Sequence, residues 1–361
     1  MLAAERHARI LALARQDGAV RIAHLVDDLG VSHVTVRRDL DSLVDERMLD
    51  KVRGGAILRE GVLREGVDPE RTRSFEGTIG VVVPTSYYYR HVVEGIDAAL
   101  GRSGGEMRLV ISDYDLDEER RLVGELIDNG VAGLLMVPSV LEHEENPEFI
   151  EFVTSLRVPT VLVEREIPGG GLSTISSIRS AHERGVFSAM RHLRELGHER
   201  VAFVSRGRTQ SADFVRRGWV DVLDRLGFDP DSPVIGGDLL GTEPTWRRGG
   251  SDIVLDVIES SGSTALFSHG DENSLFLLLQ AARSRGISVP ERLSIMTYDD
   301  EVSAHADPPL SAVAPDRQRV GALATRLLID QIERPSDAPP LHMQVEPRLL
   351  IRSSTCPPAP R

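Results

Sequence analysis

Apolar residues recur at helical spacing three times within the first 45 positions. Ile10, Leu11 and Leu13 line one side of a helix predicted from Ala3 to Gln16 and closed at Gly18. Ile22, Leu25, Val26 and Leu29 mark a short second helix, and Gly30 makes a turn. Ser32 caps a third helix, in which Val36, Leu40 and Leu43 recur at i, i+4 and i+7. Met48 to Arg53 then reads as a strand, with Gly54-Gly55 as a tight turn. From Thr78 onward the pattern changes. Apolar strands at Ile79–Val83, Arg108–Ser112, Gly133–Val137, Thr160–Val163, Val201–Ser205, Ala265–Ser268 and Ser294–Tyr298 alternate with amphipathic helices at His91–Leu100, Glu118–Asn129, Arg184–Leu196, Phe214–Leu226, Ser251–Ser260, Asn273–Arg285 and Arg319–Ile332. Such alternation predicts parallel sheets covered by helices on both faces.

The first block has the order of a small winged helix-turn-helix domain. Burying Val36, Leu40 and Leu43 leaves His33, Thr35, Arg37 and Arg38 on or near the outer side of the third helix, with Ser32 at its start. Arginine grips phosphate or bonds guanine bidentately, and Ser, Thr and His do either more weakly. Lys51 and Arg53 fall on the wing, facing phosphates or the minor groove. The bland alternative pairs Arg37 and Arg38 with Asp39, Asp41 or Asp45 on an ordinary solvated helix. The net charge of -14 argues against a nucleic-acid binder taken whole, yet residues 1–58 carry nine basic and nine acidic side chains. The acidity belongs to the rest of the chain. A neutral head predicts modest affinity for one copy and a need for two.

In the second block the ends of the strands delimit a pocket, because ligands of parallel sheets sit at the carboxyl edge. Tyr87, Tyr88 and Tyr89 follow the first strand, Asp113 the second and Arg165 a later one, and Asp271 precedes a helix. Only 4% of the chain is aromatic, so three consecutive tyrosines at one strand end carry weight. Trp246, in a loop, supplies a further aromatic wall. Aromatic faces against C–H surfaces, with carboxylate and guanidinium anchors, suit a sugar.

Composition removes other classes. Lys51 is the only lysine, which excludes a Walker-type phosphate loop and a Schiff-base enzyme. The single cysteine, Cys356, permits no intrachain disulfide. The histidines are scattered without a metal-binding spacing, and Asp113-x-Asp115-x-Asp117 lacks the later residues of a calcium loop, so no metal site and no cofactor are expected. His198 reads as a structural hydrogen-bonding histidine. No apolar run approaches the ~20 residues of a membrane span, and the charged start lacks a signal-peptide core, which places the chain in the cytoplasm.

Residues 6–56 resemble the DeoR-type N-terminal domain. The matching residues are Ile10-Leu11, Gly18, Leu25, Val31-Ser32, Thr35-Val36-Arg37-Arg38-Asp39-Leu40, Leu43 and Gly54-Gly55-Ala56. Arg47 departs from the family's usual glycine. Residues 77–353 resemble the LacI/GalR-type effector domain through Ile79-Gly-Val-Val-Val-Pro84, Gly133-Leu-Leu-Met-Val-Pro138, Val158-Pro-Thr-Val-Leu-Val-Glu-Arg165, Leu196-Gly-His-Glu-Arg-Val-Ala-Phe203, Gly218-Trp219, Gly286-Ile-Ser-Val-Pro-Glu-Arg-Leu-Ser294, Tyr298-Asp-Asp300 and Ile351-Arg352-Ser353. The resemblance implies a two-lobed, periplasmic-binding-protein-like α/β domain with Rossmann-like lobes, a small ligand in the cleft, and dimerisation through the lobes. It implies ligand anchors at Arg165 and Asp271. Ala181-His182, Val215 and Gly270 replace residues usual for that family, and its hinge helix is absent. The expected layout is a DNA-binding domain at 1–58, a linker at 59–76, lobe one at about 77–163 plus 314–334, lobe two at about 164–311 plus 341–353, and a Pro-rich tail at 354–361. The expected function is a ligand-responsive repressor of carbohydrate-metabolism genes. It would be a homodimer on double-stranded operator DNA, with a sugar as effector. The competing expectation is a cytosolic solute-binding protein or a sugar-acting enzyme without operator binding.

Overall fold

The computed structural model describes residues 6, 7, 9–11, 13, 14, 19–45, 49–52, 55–58, 75–140, 146–167, 175–205, 210–236, 249–270, 272–334 and 339–360. Its contacts divide the chain into two units, Met1–Arg73 and Ser74–Arg361.

In the first unit the described residues between 6 and 14 are helical. Strand β1 (Ala19–Arg21) leads directly into α1 (Ile22–Leu29), which ends on Gly30 in the left-handed conformation, its N–H on the Val26 carbonyl. Helix α2 (His33–Asp45) follows, then β2 (Leu49–Val52) and β3 (Gly55–Leu58). One core joins them: Ile10, Ala14, Leu25, Leu29, Val36, Leu40, Leu43, Leu49 and Ala56. The three-residue β1 has too little pattern to be read from sequence, yet it completes a sheet of order β1-β3-β2. It also explains Gly55, expected in a tight turn. Gly55 opens β3 opposite Arg21, and a Cβ there would lie 2.0 Å from the Val20 carbonyl oxygen. Gly54 and Arg53 lie outside the described residues.

The second unit holds two parallel sheets. The first has the order β14-β8-β7-β6-β4-β5, from β4 (Thr78–Val83), β5 (Glu106–Ile111), β6 (Gly133–Met136), β7 (Thr160–Val163), β8 (Ser176–Ser180) and β14 (His342–Val345). The second has the order β10-β9-β11-β12-β13-β15, from β9 (Val201–Ser205), β10 (Val234–Gly236), β11 (Ala265–His269), β12 (Ser294–Tyr298), β13 (Ser311–Ala314) and an antiparallel β15 (Arg348–Leu350). The chain passes between lobes after β8, after β13 and between β14 and β15.

This routing corrects the expected boundaries. Residues 176–180, assigned to lobe two, form β8 of lobe one. Residues 341–353 are shared, β14 going to lobe one and β15 to lobe two. Phe75, placed in the linker, is packed in the core of lobe one. The 354–361 segment is no free tail. Ser354 is fully buried, takes the Ser311 N–H at 2.8 Å and lends its own carbonyl to the Ile295 N–H.

Lobe one depends on a close crossing of α3 (Ser86–Ser103) with α10 (Arg317–Glu333). A Cβ on Gly95 would come 2.0 Å from the Gln318 carbonyl oxygen, and one on Gly321 would come 2.1 Å from that of Val92. Each glycine faces backbone, which cannot swing aside. Gly95→Ala and Gly321→Ala should therefore each lower stability by about 3 kcal/mol through overpacking. Gly101→Ala, on the same helix with nothing within 4 Å, should raise it by about 0.5–1 kcal/mol. Thermal unfolding of the three variants checks the contrast.

Candidate nucleic-acid interface and ligand cleft

The outer face of α2 is built by what its inner face buries. Val36, Leu40 and Leu43 are core, so His33, Val34, Arg37, Arg38 and Asp41 are exposed. Ser32 caps the helix, its Oγ accepting the Thr35 N–H at 3.2 Å and lying 2.9 Å from the Thr35 hydroxyl. The two hydroxyls expected to meet DNA thus also fix the helix start. Of the carboxylates offered as partners for Arg37 and Arg38, Asp39 and Asp41 are engaged elsewhere, and the Asp45 side chain lies outside the described residues. Asp39 takes the Arg6 guanidinium at 2.7 and 2.9 Å, with His7 at 3.3 Å. Asp41 takes Lys51. Among the described residues Arg37 and Arg38 have no acidic partner. Lys51, expected on DNA, pairs in the free chain with Asp41 and ties the wing strand to α2, its side chain still exposed.

The Arg6 hydrogen bonds hold the Asp39 carboxyl below its ordinary range, against the opposing effect of burial. A depressed folded-state value contributes stability above the unfolded carboxylate value, about 4. That contribution is lost as pH falls through the lower, folded value.

In the second unit the carboxyl ends of both sheets meet at one cleft. Tyr88, Tyr89, Glu164, Arg165, Ser180 and His182 line it, opposite Ser211, Pro315 and Arg317. Among the described residues the non-glycine positions with positive φ are Asp113, Tyr114, Glu164 and Asp299, each just past β5, β7 or β12. Backbone strain gathered at strand ends is typical of binding sites.

Glu164 is fully sequestered. Its carboxylate accepts the Ser180 N–H at 2.9 Å and the Ser180 hydroxyl at 2.8 Å, and burial pushes its pKa up. His182 stacks on Phe214 and shares a 2.6 Å hydrogen bond through Nδ1 with the Tyr298 hydroxyl. Its buried Nε2 has no hydrogen-bond partner and lies 3.7 Å from Glu164. Burial keeps this imidazole neutral and lowers the neighbouring His269 to about 4. Arg317, buried at the second crossover, pairs with Asp299 and Glu301 and lies 4.5 Å over the Tyr88 ring. Burial works against its charge, but the carboxylates around it, Asp299 foremost, hold it protonated.

The expected pocket residues separate. Tyr88 and Tyr89 line the cleft. Tyr87 is 70% exposed and turned away, because successive helix residues point about 100° apart. Asp113 is exposed and outside the lining. Arg165 lines the cleft, but its guanidinium is already bound to the carbonyls of Pro138 and Val140 and reaches the Tyr89 hydroxyl at 3.4 Å. It braces a wall and is no free fork. Trp246 and Asp271 lie outside the described residues. Ser180, His182, Ser211 and Arg317 were not singled out. A signal existed for His182, which replaces a usual family residue before the helix. His198 is held by Thr264, Ser294 and the Cys356 carbonyl, as expected of a structural histidine.

Residues 6–61 match the model of a DeoR-like helix-turn-helix domain, and residues 190–355 match that of a periplasmic binding protein-like domain. The chain joins these two domains. A curated relative, the arabinose metabolism transcriptional repressor of Geobacillus stearothermophilus, is 26% identical over 342 residues, covering 92% of this chain and 89% of its own. The transcriptional repressor PurR of Aliivibrio fischeri is 28% identical over 289 residues, covering 77% and 80%. Among solved structures, the Lac repressor dimer bound to operator superposes on this chain with a TM-score of 0.65. The identity is 20%, over 78% of this chain and 95% of the other. An Enterococcus faecium LacI family regulator with bound ribose gives 0.60, at 24% identity over 78% and 99%. At these identities the likeness to solved structures shows the fold.

Two measurements test the site geometry. Between pH 2 and 6, exchange protection of residues 33–45, corrected for intrinsic rates, should fall with acid in the parent chain and stay flat through that window in Asp39→Asn. Arg165→Met should destabilise the second unit by about 3 kcal/mol, since two buried carbonyls lose their donor, and Arg165→Lys should restore only part. Chemical denaturation checks the order.

Proposed function

We propose that the chain is a transcriptional repressor whose affinity for operator DNA is set by a small polyhydroxylated molecule in the interlobe cleft. The observation that carries this reading is the exposed Arg37-Arg38 face on the capped helix of a DeoR-like domain, its one described carboxylate, Asp41, paired with Lys51, in one chain with a two-lobed domain whose strand ends form a polar cleft. The two curated relatives named above are transcriptional repressors, which supports it. For the ligand, Tyr88 and Tyr89 supply faces for C–H surfaces. Ser180, Ser211 and the unpartnered His182 Nε2 supply groups for hydroxyls. The arginines of the cleft already have partners, which favours a neutral sugar over a phosphorylated one.

On this reading two copies present two α2 helices to a palindromic site, and the protein works in the cytoplasm without turning its ligand over. No described helix is long and apolar enough to cross a membrane. Ligand acts by binding two lobe arrangements unequally. Typical coupling of about 1–3 kcal/mol changes operator affinity roughly 5- to 150-fold.

The test is a gel-shift titration of the full-length chain on DNA selected from a random library, with and without a panel of free monosaccharides. A specific complex that one sugar weakens or strengthens supports the proposal. Arg37→Ala or Arg38→Ala should weaken the complex by about 1–3 kcal/mol where a base is read. Failure to select any sequence, in the presence or absence of sugars, would sink it, and turnover of a bound sugar would favour an enzyme.

A further inference from the structure

The most exposed large apolar side chain among the described residues is on α2. Val34 is 77% exposed. A lone surface valine is unremarkable in general, but its neighbours here are specific. Val34, Arg37, Arg38 and Asp41 fall at i, i+3, i+4 and i+7, which is one helix face. All four are exposed, and Asp41 is neutralised by Lys51. Val34 occupies the first turn of the helix, two residues after the Ser32 cap. In helix-turn-helix domains the residues at that end of the second helix are the ones that meet base edges.

The chemistry of the face narrows its partner. A protein interface of useful strength would need further apolar area beside Val34. The surrounding positions instead carry His33, Arg37 and Arg38, and the other exposed large hydrophobic residue described in this unit is Val52, on the wing strand. A lone branched methyl pair among cations is complementary to one feature of the major groove. Thymine carries a C5-methyl group, and guanine O6 and N7 accept the arginine fork. We propose that Val34 is a specificity-determining residue that packs on a thymine methyl, beside a base or phosphate held by Arg37 or Arg38. This rests on the operator-binding reading and adds a base identity to it. Helix geometry sets the reach, since Val34 and Arg38 lie about 6 Å apart along the axis, so the thymine sits within one or two base pairs of the arginine contact.

The experiment uses the full-length chain and its Val34→Ser variant. Serine has a helix propensity close to that of valine, and the exposed position leaves the core untouched, which equal melting temperatures confirm. A bound sequence is first selected from a random duplex library with the parent chain. Each thymine of the selected site is then replaced singly by deoxyuridine, which keeps the base pair and deletes the methyl. The parent chain should bind one such duplex about fourfold more weakly per thymine read, the value of one buried methyl. Val34→Ser should bind the thymine and deoxyuridine duplexes equally. Equal binding of every deoxyuridine duplex by the parent chain would overturn the inference while leaving operator binding intact. The same loss persisting in Val34→Ser would also overturn it, by assigning the methyl to another residue. Selection of no sequence at all would overturn the operator reading and this inference together.

Discussion

A parallel strand cannot be reached by a tight turn, so every parallel strand of the two sheets needs a crossover. The parallel strands of one sheet then all end on the same side. That constraint delivers the polar strand ends of each lobe to one edge, and three passages of the chain between lobes bring the two edges together. The first passage places Ser180 and His182, and the second places Pro315 and Arg317, at the cleft. The closeness of α3 to α10 belongs to the same scheme. Glycines at 95 and 321 let Arg317, at the start of α10, sit over Tyr88 near the start of α3. A bulkier crossing would move both walls of the cleft.

The charges in the cleft follow from burial. Glu164 is surrounded by hydrogen-bond donors from Ser180, and Arg317 by two carboxylates. A low-dielectric site tolerates such groups only when each is answered. Among the described residues lining the cleft His182 Nε2 is left unanswered, and on the proposed reading it is where a ligand atom would gain most. Neutral hydroxyls fit such a place, because adding a net charge to an already balanced cluster carries a desolvation penalty with no free counter-charge to offset it.

Much of this was legible from residue pattern. Ser32, Val36, Leu40 and Leu43 fix both the start and the inner face of α2, and the outer face follows by subtraction. The apolar strands β4, β6, β7, β9 and β12 stood out as runs because both faces of each are covered. The polar strand β8, Ser-Ser-Ile-Arg-Ser, did not, since its side chains are buried by hydrogen bonds and an ion pair: Ser176 with Gln331, Arg179 with Glu166 and Glu183. Missing β8 moved the lobe boundary. Side-chain roles were the hardest to read. Arg165 at a strand end has the chemistry of a ligand anchor, and only the positions of the Pro138 and Val140 carbonyls reveal that its fork is occupied. Asp39 and Lys51 pose the same problem, because their partners Arg6 and Asp41 are chosen by packing between elements.

The contacts that span the two lobes suggest how a small molecule could act through the cleft. Gln210, on lobe two, exchanges hydrogen bonds with the backbone of Glu166 on lobe one, donating to its carbonyl and accepting its N–H, each at 3.2 Å. Arg179 of lobe one lies 3.9 Å over the Phe214 ring of lobe two. Glu301, beyond β12, faces Arg90 and His91 on α3 at 3.7 and 3.4 Å. With the Arg317 pairs to Asp299 and Glu301, these contacts are polar, unlike the large apolar cores inside each lobe. An arrangement of lobes held by a handful of such contacts is separated from its alternative by a few kcal/mol at most. A ligand that adds two or three hydrogen bonds in one arrangement and not in the other matches that gap, whereas neither lobe's own core would yield to it. On the proposed reading the cleft is therefore the part of this unit that ligand binding would move, with the lobes shifting about it as rigid bodies.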